Sequence, residues 1–188
     1  MNSKKLSGTS SILLIIAALL IVASLFFPWW KLDFFAPQYP EGLFITVYPD
    51  SLEGDLSNIN GLNHYIGMKQ FSEEDFPELQ FLPYVIGGLA LLVLIGAIVR
   101  RKGYLFVLIG LFAVGGIVGI WDLVTSLNEY SMNLDPMAPI EMAPFKIPII
   151  GDNVIANFNT YSHLGTGVYF AIAAFILLLI PLWKDRKK

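Results

Sequence analysis

Two histidines and four internal methionines carry the soft-donor chemistry of this chain: His64, His163, Met68, Met132, Met137 and Met142. Thioether sulfur favours Cu(I), and imidazole suits copper in either oxidation state. Thiolate, the commoner soft donor, is absent because the chain has no cysteine. Methionine and histidine together can serve where an oxidising compartment would convert cysteine to disulfide. His64 and Met68 stand at i, i+4, so helical turns there would put both on one face. Met132, Met137 and Met142 recur every five residues in a proline-punctuated stretch, a flexible arrangement that can wrap a soft ion. His163, just before an apolar run, is a further ligand candidate. The residue types thus predict a Cu(I) site. The competing reading is packing. An i, i+4 pair is commonly core with its imidazole bonded to the backbone, and loop methionines are adaptable apolar filler.

Other chemistry is thinly represented. Haem held between His64 and Met68 is excluded on a helix, because neighbours on one face cannot be opposite axial ligands. Ligation by His64 and His163 together has no support in the sequence. There is no nucleophile elbow, zinc-protease motif or phosphate-binding glycine loop, so no enzyme activity is expected. The acids lack the spacing of a calcium loop. No basic surface suited to nucleic acid is present. Asp122, beside Trp121, lies where an apolar run ends and can reach water.

These donors must be positioned by a chain that is 55% hydrophobic and only 14% charged over 188 residues. The apolar residues fall in long runs, at about 12–28, 81–99, 104–121 and 167–183. Each approaches the ~20 residues a helix needs to cross a bilayer. Helices are expected, because backbone polar groups in lipid must be satisfied within the segment. The first run is not followed by a small-x-small cleavage site and reads as an uncleaved anchor. Nine of the twelve basic residues flank these runs on one side: Lys4, Lys5, Arg100, Arg101, Lys102, Lys184, Arg186, Lys187 and Lys188. Fourteen of the fifteen acids fall on the other side. The positive-inside rule then predicts a multi-pass protein of a bacterial-type inner membrane with both termini cytoplasmic. Without a central charge in any run, a channel or transporter is not expected. Gly115 and Gly119 form a small-xxx-small surface for packing another helix.

Two outer segments remain, at about 31–80 and 122–163, and all six donors lie in them. Residues 44–48 read as a strand, residues 57–68 as one or two helical turns between glycines. Residues 146–150 and 154–161 read as a hairpin turning at Gly151-Asp152-Asn153. The expected fold is therefore one membrane domain over 1–188. It is α-helical, a bundle of four transmembrane helices under a small β-structured cap.

The run Asn58-Ile59-Asn60-Gly61-Leu62-Asn63-His64-Tyr65-Ile66-Gly67-Met68-Lys69 resembles a stretch of small four-span membrane proteins encoded beside nitrous-oxide-reductase maturation genes. Residues 46–55 and 146–158 fit the same likeness. The resemblance implies a role in supplying copper to, or assembling, an extracytoplasmic copper enzyme. It implies no catalytic residues. The layout, with strands from both outer segments, is similar to that of claudin-like proteins by analogy only, since their paired cysteines are missing. The expected function is accessory: binding or handing over copper on the outer face, or docking a copper-handling partner. The alternative is a structural or assembly subunit, without metal, of a larger membrane complex.

Overall fold

A computed structural model describes residues 5–186. Helix α1 (Gly8–Ser24) is followed by strands β1 (Trp30–Ala36), β2 (Tyr39–Val47) and β3 (Leu52–Gly54), then helix α2 (Leu56–Ile66). Two 3-10 turns, Glu73–Asp75 and Pro77–Gln80, lead into α3 (Leu82–Val99) and α4 (Lys102–Met132). Strands β4 (Gly151–Ile155) and β5 (Phe158–Leu164) precede α5 (Thr166–Lys184).

The expectation of a four-helix bundle under a small cap does not hold. Five helices accompany one five-stranded antiparallel sheet, ordered β3-β2-β1-β5-β4. The sheet has its own hydrophobic core and is a second structural layer, too large to be a cap. The helix count also differs. Among the described residues, α3, α4 and α5 are long and apolar enough to cross a membrane, which is consistent with a membrane protein. The run expected to span 12–28 forms a helix of 17 residues, because it starts four residues early on the Ser7 cap and ends at Ser24. At 1.5 Å per residue it covers roughly 26 Å, at the lower end of the lengths that cross a bilayer. The third run is longer than expected. At 31 residues α4 reaches roughly 46 Å, and its last turns project beyond any bilayer into the sheet layer.

Two cores follow from this division. Leu14, Ala17 and Ile21 of α1 pack with Ala90 and Val93 of α3, Leu108 of α4 and Leu178 of α5. Trp30, Leu32, Phe34, Leu43 and Ile45 of the sheet pack with Ile59 and Ile66 of α2 and with Leu127 and Tyr130 of α4. In β1 the side chains alternate: Trp30, Leu32 and Phe34 point inward, while Lys31, Asp33 and Phe35 are outside or half-exposed.

The layers join without slack. The Gly165 amide donates to the Trp29 carbonyl at 2.9 Å, and the Gly167 amide to that of Pro28 at 2.8 Å. A Cβ on Gly165 would stand 2.0 Å from the Pro28 oxygen, so only glycine fits there. At the far end the basic segments meet. Lys5 bridges to Arg101, and the buried Asp185 carboxylate accepts from the Ser7 amide at 2.9 Å and the Ser10 hydroxyl at 2.7 Å. Lys102 donates to the Asp185 carbonyl. Lys4, Lys187 and Lys188, which also entered the charge argument, lie outside the described residues.

Strand boundaries shift as well. The expected strand at 44–48 is the second half of β2, and its partner β1 occupies residues 30–36, which carry no strand expectation. The second hairpin does not turn at Gly151-Asp152-Asn153. Those residues open β4, and the two-residue loop is Ala156-Asn157. Ala156 takes φ 51°, the left-handed conformation such a loop demands. Alanine gives no sequence signal for it.

Candidate functional site

The site is built where α2 ends. Gly67 adopts φ 74° and reverses the chain, and the Met68 amide donates back to the Asn63 carbonyl at 2.9 Å. Met68 is therefore outside the helix, and the expected shared helical face with His64 is not formed. The returning segment is clamped to α2 by two asparagines. Asn60 accepts from the Phe71 amide at 2.7 Å and donates to its carbonyl at 2.8 Å. Asn63, itself buried, donates to the Lys69 carbonyl at 3.4 Å. The clamp turns Met68 inward, leaving it 6% exposed within the sheet core. His64 stays on the exposed side, its ring 6.1 Å from that of Tyr65.

The second segment is docked on this turn. The Asp135 amide donates to the Gly67 carbonyl at 2.8 Å, and the Ile140 amide to the Tyr65 carbonyl at 2.9 Å. The Asp135 carboxylate accepts from the Met137 amide at 2.8 Å. Backbones meet so closely at Gly67 that a Cβ there would lie 2.7 Å from the Asp135 oxygen. The end of α4 is fixed by aromatic stacking. Tyr130 lies between Phe71 and Phe76, with ring centroids 4.6 and 5.7 Å away. Its hydroxyl donates to Asp75 at 3.2 Å.

The result is an open groove of about 740 Å³ lined by His64, Met68, Met132 and Met137, with Lys69 and Asp135 at its sides. Four of the six expected donors thus meet, from segments more than sixty residues apart. The groove's ammonium is drawn to carboxylates. Lys69 Nζ stands 2.6 Å from Asp75 and 4.0 Å from Glu129, and 5.6 Å from the Tyr130 ring centroid. Its hydrogen bond to Asp75 holds the ammonium pKa above the ordinary lysine value. On the other side of Met68 lies a smaller apolar pocket of about 180 Å³, lined by Phe34, Ile59, Leu62, Ile140 and Phe158 among others. Met68 accordingly lines both.

Two donors are elsewhere. Met142 packs as a half-buried side chain against the sheet core. His163 lies within β5 opposite Lys31 of β1, and its Nδ1 stands 3.6 Å from an Asp33 carboxylate oxygen. Among the described residues no three histidine, aspartate or glutamate side chains converge as a metal-holding group. The donors the groove does offer are one imidazole and three thioethers. Sequence reasoning missed the residues that assemble them: Gly67, Asn60, Asn63 and Tyr130. The two asparagines three apart, followed by a glycine, are the one pattern that points to a clamped helix end. Compared with protein-family models and with curated proteins, the chain matches none.

Proposed function

We propose that this protein is an accessory membrane protein that binds Cu(I), or hands it to a partner, in the groove lined by His64, Met68, Met132 and Met137, with His64, Met68 and Met132 as the donors that hold it at rest. One observation carries the reading. Soft donors from two distant segments line one groove: His64 and Met68 at the end of α2, Met132 at the end of α4 and Met137 in the segment after it. Imidazole with thioethers is a donor set for Cu(I) in particular, since harder cations prefer oxygen. The likeness of residues 58–69 to proteins encoded beside copper-enzyme maturation genes supports the same reading. We place the sheet layer outside a bacterial-type plasma membrane. Helix α1, which shares one core with α3, α4 and α5, crosses with them in this reading, so the chain is multi-pass with both termini cytoplasmic. The clustering of Lys5, Arg100, Arg101, Lys102, Lys184 and Arg186 at the end of the helices away from the sheet supports this orientation.

The test is competition against a Cu(I) chelator, under reducing anaerobic conditions, using full-length protein in detergent. Met68→Leu is the informative variant, because a Leu–Met exchange in a core costs less than about 1.5 kcal/mol and removes the sulfur. Wild type is expected to bind one Cu(I), with Met68→Leu and His64→Ala each weaker by about tenfold or more. Wild-type binding no tighter than that of the Met68→Leu/His64→Ala double variant contradicts the proposal.

A further inference from the structure

We infer that the groove divides its labour: Met68 is the retaining donor and Met137 the exchange donor, through which a soft cation passes to a partner presenting its own thioether. The inference rests on the Cu(I) reading above and adds roles to it. The three thioethers differ sharply in exposure. Met68 is 6% exposed, Met132 43% and Met137 87%. High exposure here is not the looseness of a free loop. Met137 is held by the hydrogen bond that its backbone amide donates to the Asp135 carboxylate, and hydrogen bonds from Asp135 and Ile140 to the α2 end fix the loop on either side. The chain thus spends a rigid turn on keeping an apolar side chain in water, while an apolar pocket beside Met68 is lined by other residues. A fixed, projecting thioether suits contact with a second molecule. A buried one suits retention, since an incoming ligand cannot reach it.

The exchange is a simple ligand substitution. The Met137 sulfur forms a Cu–S bond as the bond to Met132 breaks, the incoming sulfur then bonds as the bond to Met137 breaks, further incoming donors replace His64 and Met68 in the same way, and copper remains Cu(I). No proton or electron moves. A donor used only in passage lowers the barrier in both directions by the same amount. It therefore changes the rates of entry and exit without changing affinity.

The experiment is stopped-flow extraction of Cu(I) from the loaded full-length protein by bathocuproine disulfonate, with equilibrium Kd measured on the same samples. Met137→Leu is expected to leave Kd within about threefold of wild type and to slow extraction about tenfold. Met68→Leu is expected to raise Kd by about tenfold or more and to speed extraction. If Met137→Leu raises Kd as Met68→Leu does, Met137 is a retaining donor and the division of roles is overturned. Unchanged Kd and unchanged rate make Met137 a bystander, with the same consequence. Absence of Cu(I) binding by wild type removes the groove reading itself, and this inference with it. Because Met137 is almost wholly exposed, its replacement by leucine leaves the fold intact, which circular dichroism of each variant checks.

Discussion

The two histidines are indistinguishable by residue type, and the fold gives them opposite surroundings. His64 ends a helix and faces a groove of thioethers. His163 sits in a strand ladder and faces the carboxylate of Asp33. One neighbourhood is soft and assembled from two distant segments. The other is ionic, half-exposed and made by adjacent strands. A metal-ligand role follows from what stands around an imidazole, and the contrast separates the groove proposed to hold Cu(I) from a cross-strand histidine–aspartate contact.

That contrast can be broken most forcefully at Gly67. Gly67→Val places a β-branched side chain at φ 74°, within 2.7 Å of the Asp135 backbone oxygen. Strain of this kind costs about 2 kcal/mol or more. The second segment should then leave the α2 end, separating Met132 and Met137 from His64. Limited proteolysis should cut the variant between residues 133 and 145, where wild type resists, and Cu(I) affinity should fall. A variant protected like wild type would show that the segments do not depend on this contact. A smaller effect sharpens the contrast from the other side. His163→Ala should leave Cu(I) affinity unchanged and cost at most about 1 kcal/mol in stability, as expected for an exposed pair. Chelator competition and thermal unfolding in detergent read the two quantities. Loss of Cu(I) affinity in that variant would place His163 in the site after all.

Parts of this arrangement were legible in the sequence for clear physical reasons. Long apolar runs announce helices, and three of the four meet the length of a membrane span. The donor types were legible because soft chemistry is a property of side chains. Position was not. His64 and Met68 look like a helical pair at i, i+4, yet Gly67 adopts a left-handed turn that ends the helix between them. The sheet was underestimated because its parts are disguised. Trp30–Ala36 lies between Pro28 and Pro37 and carries no sequence expectation of a strand, yet β2 and β5 pair on either side of it. Ala156, an unremarkable residue type for a tight turn, moved the second hairpin by several residues. The reach of α4 into the sheet layer comes from a helix that runs on past Trp121 to Met132 without a break at Asp122. Convergence of segments distant in sequence depends on tertiary contacts, here the docking of Asp135 and Ile140 on α2. No local pattern encodes it.

The central claim is that one imidazole and several thioethers surround a single Cu(I). Copper K-edge X-ray absorption of the protein loaded with one equivalent of Cu(I) tests it most directly. The account predicts scattering dominated by sulfur with a single imidazole, and loss of the imidazole signal in His64→Ala but not in His163→Ala. A first shell of nitrogen and oxygen without sulfur, or a spectrum unchanged in His64→Ala, would contradict it.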